Sequence, residues 1–453
     1  MFIYFLFKIT NHKKTYFCHR IFEYTIVKKN KTVAFQTFGC KLNFAETSTI
    51  AKSFSKKGYE IVKPGQKADI YVINSCTVTA NAEKRCNDAV KRAKKINPEA
   101  EIAMVGCYAQ LRSEKIASSN NIDYVLGNHE KYQLVEHIEN SNSGCFTSNE
   151  DILKISDFSP AFNANDRTRT FLKIQDGCDY YCTFCAIPFA RGKSRSDTIE
   201  NTIKQAHEIA AQGQKEIILT GVNIGTFGKN HHENFFSLLK ALDQVDGIER
   251  IRISSIEPNL LTNEIIELVS RSQKILPHFH IPLQSGSDEM LKLMKRKYKR
   301  DVFAQRVRLI KEKMPLACIA ADVIIGSPGE TESLFKETYD FIDSLDISYL
   351  HVFTYSDRPE AYANKMPDKV SSKDKKDRSK RLHQLGELKK REFYKINTES
   401  THSVLWEAAN KKGLMSGLTD NYIPVSTKYN KNKINTLETI RLENLDNNGE
   451  WIV

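Results

Sequence analysis

No apolar run in the 453-residue chain approaches the ~20 positions that a membrane-spanning helix needs. Met1–Phe7 is apolar, but Lys8 ends the run. No basic segment precedes it and no small-residue cleavage site follows, so the pattern does not fit a secretory signal. Glycine (20) and proline (12) are too few for a collagen-like or low-complexity chain. No period of 20–50 residues recurs, which removes solenoids and propellers. What remains is a cytoplasmic reading, with enough apolar material (40%) for several cores and a length that suits about three domains. Lys and Arg number 67 against 55 Asp and Glu, a net charge of +12, which favours a polyanionic partner such as nucleic acid.

Ten cysteines in such a compartment are not explained by disulfides. Three of them share one placement. From Thr32 the chain alternates short β-branched runs with helical stretches: Thr32–Phe38, Asp69–Ile73 and Glu101–Val105 read as buried strands. Cys40, Cys76 and Cys107 each follow the carboxyl end of one of them. In an open parallel sheet these ends lie on one edge, where ligands bind. Three thiols there can converge on one metal centre, against the bland alternative that each is a small buried residue.

The expected architecture is α/β throughout its larger part. Residues 1–30 show no usable periodicity and read as an N-terminal extension. Residues 31–145 read as an open parallel α/β domain. The Ser-, Asn- and Asp-rich stretch 146–168 reads as a linker. Between 169 and 395, strand-like runs at Thr170–Ile174, Glu216–Thr220, Arg250–Ser254, His278–Pro282, Ala320–Ile325 and Tyr349–Phe353 alternate with helical patterns, which suits a partial (β/α) barrel. The basic segment 365–395 reads as a helix with a charged outer face. Residues 396–453 carry short β-like pieces that suit a small β-barrel.

One cysteine group is tight: Cys178-Asp-Tyr-Tyr-Cys182-Thr-Phe-Cys185, spaced C-x3-C-x2-C. A loop of that length turns three sulfurs toward one face of a metal cluster. Zinc is the competing reading, but a structural zinc wants four ligands, usually two paired C-x2-C units, and no second pair lies in reach. The missing fourth ligand favours a cubane cluster with one open iron.

This group, with Phe184 before its last cysteine, resembles the signature of radical S-adenosylmethionine enzymes. Gln175-Asp-Gly177, Ala186–Arg195, Phe38–Asn43, Asn74–Val78, Gly106–Gln110 and His280–Ser287 resemble the methylthiotransferase family, over most of the chain from about residue 32. Of its branches, Gly39–Asn43, Ala45–Ser48, Gly221–Gly225 and Arg252–Pro258 resemble the one that modifies N6-threonylcarbamoyladenosine beside the tRNA anticodon. Ser327 stands where the family commonly has an aromatic residue. The C-terminal module, around Gly417–Ile423, is similar to the family's RNA-binding TRAM domain but is rich in Asn and Lys.

The resemblance implies two [4Fe-4S] clusters and S-adenosyl-L-methionine. Cys178, Cys182 and Cys185 would hold the cluster whose open iron binds S-adenosylmethionine, giving a 5′-deoxyadenosyl radical. Cys40, Cys76 and Cys107 would hold an auxiliary cluster that delivers sulfur. Thr220, Gly221, Glu257 and Gln284 match family motifs around S-adenosylmethionine, and read equally well as barrel-mouth residues. The implied partners are a tRNA anticodon stem-loop, a reducing electron donor and a sulfur source. The sequence does not give the oligomeric state. Two alternatives keep the chemistry but act on isopentenyl-adenosine or on a ribosomal-protein aspartate; a third is a non-catalytic iron–sulfur RNA-binding or redox-sensing protein.

Other features read blandly. His278 and His280 share a strand face, and without a third ligand they read as packing or hydrogen-bonding residues. Met294–Arg300 is a basic cluster suited to phosphate contact or to exposed helix surface. Ser327–Glu330 fits a helix capping box. Cys18, Cys86, Cys145 and Cys318 match no motif.

Overall fold

The computed structural model of the chain describes residues 31–119, 121–140, 145–163, 168–409, 413–443, 445 and 451–453. The expected N-terminal extension, with Cys18, lies outside the described residues.

The first domain is a parallel sheet of β1 (Thr32–Thr37), β2 (Glu60–Val62), β3 (Ile70–Ser75), β4 (Glu101–Gly106), β5 (Tyr124–Leu126) and β6 (Phe146–Ser148), in the order β2-β1-β3-β4-β5-β6. Its helices are α1 (Lys41–Lys56), α2 (Ala80–Ile96), α3 (Cys107–Ala117) and α4 (Leu134–Asn140). Alternate residues feed two cores. Ala34, Ile73 and Met104 pack with Ala89 and Ala93 of α2, while Val33, Val72 and Val105 pack with Ile50 and Phe54 of α1 and Leu134 of α4. β3 is buried on both faces, which is why its sequence runs apolar without alternation. The strand order reverses between β1 and β3, the switch point where such sheets bind ligands. Cys40 and Cys76 follow those two strands.

The linker expectation is corrected here. Phe146–Ser148 pairs in parallel with β5, and β7 (Ala161–Phe162) turns antiparallel onto the second domain's first long strand. Both segments are too short to carry a periodic signal; their partners recruit them.

The second domain is a half-barrel built from β8 (Arg169–Lys173), β9 (Gln175–Asp176), β10 (Arg195–Ser196), β11 (Glu216–Thr220), β12 (Arg250–Ile253), β13 (His278–Gln284), β14 (Cys318–Ile325) and β15 (Tyr349–Thr354). The orders are β7-β8-β11-β12 and β13-β14-β15, joined by single bridges from Ile251 to Ile275 and from Ser255 to His280. Helices α5 (Ile187–Arg191), α6 (Ile199–Ala211), α7 (Phe235–Asp243), α8 (Asn263–Arg271), α9 (Asp288–Leu293), α10 (Arg300–Lys313), α11 (Glu332–Asp343) and α12 (Ser372–Ile396) complete it. Ile217, Leu219, Ile251, Ile253, Phe279, Ile281, Ile319 and Val323 face the helices in one core. Because side chains alternate along a strand, Glu216, Arg252, His278, His280 and Asp322 face the lumen. α1 of the first domain packs against β7 and β8.

The C-terminal module is a five-stranded sheet of β16 (Thr401–Ala409), β17 (Leu414–Thr419), β18 (Pro424–Lys428), β19 (Leu437–Arg441) and β20 (Trp451–Ile452), ordered β19-β16-β17-β18-β20. Its core of Val404, Trp406, Met415, Val425 and Trp451 also takes in Cys318 and Phe393 from the half-barrel. Buried Arg250 and Arg252 donate to the carbonyls of Leu418, Thr419 and Asp420, fastening the module to the amino ends of the barrel strands. Among the described residues no helix is long and apolar enough to cross a membrane.

Candidate functional site

Cys40 caps the start of α1, Cys76 follows β3 and Cys107 opens α3. Asn43 ties the turns together, its amide donating to the carbonyls of Phe38 (2.7 Å) and Ser75 (3.0 Å). Gly39 sits at φ +100°, and a Cβ there would stand 3.0 Å from Cys76 Sγ, so glycine keeps room for the thiol. Cys107 Sγ accepts from the Asn128 amide at 3.4 Å. Burial pushes Cys76 up to about 12, with Cys107 and Cys40 adding like-charge repulsion. The three thiols thus lie at the ends of neighbouring strands, near enough for their charges to interact.

The second trio lies on the loop after β9. Gly177, at φ +69°, is needed because a Cβ would come within 2.0 Å of the Lys193 carbonyl. Gln175 clamps the loop: its amide donates to the Asp176 and Gly177 carbonyls and to Ser194 Oγ, and its oxygen accepts from the backbone N–H groups of Val222 and Asn223. Thr183 bonds to Leu293 and Met294, anchoring the loop to the end of α9. Burial raises Cys178 to about 11 and Cys185 to about 12, with the charge of Cys182 adding to both and that of Cys178 adding at Cys185. Cys185 Sγ accepts from Ile187 N–H at 3.4 Å, and Cys182 Sγ from Arg296 at 3.1 Å.

Arg296 is the residue that sequence reading missed. It sits in the basic run Met294–Arg300, where its neighbours suggest exposed surface, yet its side chain is only 3% exposed and pairs with Glu257. Tyr298 is also buried, its hydroxyl on the carbonyls of Pro282 and Leu283. The expectation of a phosphate-binding or surface cluster is thus corrected for these two residues. Only the strand-like neighbourhood of Glu257, an acid needing a partner, could have signalled the pair.

The other expected cofactor residues divide. Glu257 lies beside Cys182 with Arg296. Gln284 ends β13 at a bulge with φ 64°, and its buried side-chain oxygen has no partner among the described residues. A non-glycine residue held there is a site of stored strain. Thr220 donates its hydroxyl to the Ile218 carbonyl of its own strand, and Gly221 makes room for Gln175 and Ile224. These two shape the turn rather than present a free group.

A buried charge network joins the two trios. Glu46 of α1 pairs with Arg191 (3.0 Å), Lys173 (3.0 Å) and Lys131 (2.6 Å). Asp176, two residues before Cys178, pairs with Arg191 (3.0 Å), Lys173 (2.8 Å) and Arg195 (3.3 Å). Arg191 also donates to Asn43 Oδ1 at 2.7 Å, and Lys131 to Asn128 Oδ1 at 2.8 Å. Asn43 and Asn128 are the amides beside Cys40 and Cys107. The network therefore links the residues beside Cys40 and Cys107 to the start of the Cys178 loop across the domain boundary.

The donor sets fit iron–sulfur clusters. Neither trio brings three sulfurs within 4.8 Å of one another among the described residues. A single tetrahedral zinc with Zn–S bonds of ~2.3 Å would draw them to about 3.8 Å. The buried side-chain oxygens of Gln284 and Asn259 have no partner among the described residues, and the Asn259 amide donates to Tyr180 of the Cys178 loop at 3.2 Å.

Comparison with known proteins agrees. Residues 32–127 match the model described as "Uncharacterized protein family UPF0004", and residues 172–342 match the radical SAM superfamily. The chain is 40% identical to the threonylcarbamoyladenosine tRNA methylthiotransferase MtaB of Bacillus subtilis, covering 91% of this chain and 93% of that one. It is 38% identical to the protein of the same name from Aquifex aeolicus, covering 87% and 96%. The chain belongs to the radical S-adenosylmethionine methylthiotransferase family. A tRNA-2-methylthio-N(6)-dimethylallyladenosine synthase of Alkaliphilus oremlandii is 34% identical, covering 78% and 77%. Among solved structures, the radical S-adenosylmethionine methyltransferase TsrM of Kitasatospora setae superposes with a TM-score of 0.55 at 13% identity, over 74% of this chain and 77% of that one, a likeness of fold.

As a methylthiotransferase of the radical S-adenosylmethionine superfamily, the protein is an enzyme that uses S-adenosylmethionine and a [4Fe-4S] cluster. Its remaining motifs resolve as follows. Thr331, not Ser327, caps α11, and Glu330 instead accepts from Gly326 N–H and pairs with Arg378. Cys86 and Cys318 are buried in cores. Cys145 is exposed. His278 stacks on Tyr422, with ring centroids 4.4 Å apart, and burial holds its pKa well below 6.5. His280 is more than a packing residue: Asp322 lies 2.6 Å away and His351 joins them, a grouping that spans three adjacent strands.

Proposed function

We propose that this methylthiotransferase adds a methylthio group to C2 of N6-threonylcarbamoyladenosine next to the anticodon in tRNA, using two [4Fe-4S] clusters. The observation that carries the reading is that Arg191 bonds both to Asn43, beside Cys40, and to Asp176, just before the Cys178 loop, so one buried network links the two cysteine trios. Its relatives named for threonylcarbamoyladenosine, at 38–40% identity, favour this substrate.

The target carbon carries an aromatic C–H that side-chain acids and bases do not activate, so a cofactor must supply the hard step. Cys178, Cys182 and Cys185 would hold a cluster that would supply the electron for cleaving S-adenosylmethionine, and Cys40, Cys76 and Cys107 would hold one that would supply the sulfur. The chain's own residues do the rest. Gln175 fixes the Cys178 loop on the barrel rim. Arg296 holds Glu257 and donates to the Cys182 sulfur, a contact that tunes a cluster's potential. Gln284 offers an acceptor at the barrel mouth. The α1–β8 contact and the Glu46 network hold the two sites at a constant separation and keep water out of the boundary.

The C-terminal sheet and the basic α12 would supply the phosphate contacts that place the anticodon stem-loop. The net charge of +12 and cytoplasmic tRNA modification fit together, with a reducing electron donor and a sulfur source as further partners. Nucleoside analysis of tRNA from a deletion strain tests the reading. Loss of 2-methylthio-N6-threonylcarbamoyladenosine, restored by the gene, is the expected result. Loss of the dimethylallyl derivative instead would overturn the substrate assignment.

A further inference from the structure

The chain leaves β5 through Gly127-Asn128-His129-Glu130, at the carboxyl edge of the first sheet, and leaves the neighbouring β6 through Asn149-Glu150. The two exits are tied together. Gly127 N–H donates to the Ser148 carbonyl at 3.0 Å, and Glu150 N–H donates to a carboxylate oxygen of Glu130. Ligand atoms of His129, Glu130 and Glu150 all lie within 4.8 Å of one another. His129 Nδ1 stands 3.6 Å from Glu150 Oε2.

Acidic side chains often gather at a surface, where water and salt screen them. Glu130 is not in that position. It is 3% exposed, its Oε2 has no hydrogen-bond partner, and among the described residues no lysine or arginine pairs with it. A buried carboxylate that has lost its water needs a counter-charge. Its neighbours do not supply one. A Cβ at Gly127 would collide with Gln110 Oε1, Glu130 Oε2 and Asn149 Oδ1, so three side-chain oxygens converge on this glycine. The amide N–H groups beside them are spent elsewhere. Gln110 Nε2 donates to Asn149 Oδ1 and to the Glu150 carbonyl (3.1 Å), and Asn149 Nδ2 to the Gln110 carbonyl and Ser113 Oγ (both 3.0 Å).

We propose that His129, Glu130 and Glu150 bind a divalent cation of the manganese type, separate from both cysteine trios. Two carboxylates cancel the charge of the dication, and the orphaned Oε2 gains the partner it lacks. Calcium and magnesium favour oxygen alone, whereas one imidazole beside two carboxylates suits Mn²⁺, which accepts both donors. Bonds of ~2.1 Å put adjacent ligands ~3 Å apart and opposite ones ~4.2 Å apart. The present spacing therefore needs a small closure, and the Glu150 side chain, 59% exposed, is free to make it. The ion fastens the exits of β5 and β6 around Asn128, whose amide donates to Cys107 Sγ at 3.4 Å and to the Ala190 carbonyl at 2.7 Å. Its role is structural: it steadies the loop that braces Cys107 against the half-barrel, and it takes no part in the sulfur chemistry.

The test titrates MnCl₂ into full-length, iron-reconstituted enzyme in its oxidised state and reads free Mn²⁺ by its six-line electron paramagnetic resonance signal. Wild type should remove one equivalent per chain, and Glu130→Gln and Glu150→Gln should each weaken that binding at least about tenfold at unchanged iron content. Mn²⁺ should also raise the thermal midpoint of wild type and not of the variants. An ion already carried through purification shows in elemental analysis beyond the iron, and Glu150→Gln should lack it. If Glu130→Gln does not fold, Glu150→Gln decides, because its side chain lies at the surface. A wild type that leaves the Mn²⁺ signal intact and carries no metal besides iron overturns the site, and Glu130 is then a neutral acid donating to the Gln110 or Asn149 oxygen. Equal binding by wild type and Glu150→Gln also overturns it, since the ion then sits elsewhere.

Discussion

Arg191 grips both carboxylate oxygens of Glu46, each at 3.0 Å, across the boundary between the parallel-sheet domain and the half-barrel. Both side chains are fully buried. Burial by itself raises the carboxyl's pKa, but Arg191, Lys131 and Lys173 outweigh it and hold Glu46 far below its ordinary value. This pair sets the spacing of the two thiol sites, because the same guanidinium reaches Asn43 beside Cys40 and Asp176 beside Cys178.

Glu46→Gln keeps the shape and removes the counter-charge of three buried cations. Breaking one side of such a network costs about 3–5 kcal/mol. Denaturant unfolding of the apoprotein should show a loss of that order, and a loss below about 1 kcal/mol would count against the network's role.

The same pair predicts an acid response. Glu46 lies below 4.5 and Asp176 well below 3.8 in the folded protein, both held there by cations against the effect of burial. The unfolded chain therefore binds more protons on the acid side, and stability falls as pH drops below those ordinary values. Between pH 7 and 5 these two groups should contribute a constant amount. Equilibrium unfolding against pH checks this, with a shallower acid slope expected for Glu46→Gln.

Iron content separates the clusters. Anaerobic reconstitution should give about eight irons per chain, and alanine at Cys178, Cys182 and Cys185 should halve this and abolish 5′-deoxyadenosine. Alanine at Cys40, Cys76 and Cys107 should also halve the iron but leave 5′-deoxyadenosine formation in place, with no methylthio product. Normal methylthio product from that second variant would return those cysteines to a packing role.

Arg296→Met retains the apolar stem and removes the donor to Cys182 Sγ and the partner of Glu257. Iron should stay bound while the reduction potential of the adjacent cluster moves to a more negative value, since a positive, hydrogen-bonding group favours the reduced form. A redox titration followed by electron paramagnetic resonance reads this directly. An unchanged potential would mean that Arg296 only braces Glu257.

How much was legible in advance follows from how local each signal is. The C-x3-C-x2-C loop is contained in eight residues, so its chemistry is written in its spacing. The shared placement of Cys40, Cys76 and Cys107 was readable at one remove, because each follows a strand whose apolar run is visible and parallel strands share an edge. Arg296 was not readable: its neighbours Lys295 and Lys297 are indistinguishable from it in sequence, and only the fold of the chain after α9 turns it inward beside Cys182. His280 showed no third ligand because Asp322 and His351 arrive on the next two strands, and their meeting depends on the register of β13, β14 and β15. The strands at Phe146–Ser148 and Ala161–Phe162 were hidden for the same reason, since three and two residues acquire a strand's identity only from the partner beside them.

The sequence by itself determined the alternation of strands and helices, and the placement of Cys40, Cys76 and Cys107 after strand ends and of Cys178, Cys182 and Cys185 on one loop. Tertiary structure alone decided that Glu46 and Arg191 meet across the domain boundary, that Arg191 bonds on to Asn43 and Asp176 beside the two trios, and that Arg296 turns inward beside Cys182. The reason is range. Side-chain spacing and apolar period act over a few residues, whereas the pairing of Glu46 with Arg191 spans 145 positions and exists only once two separately folded cores have docked.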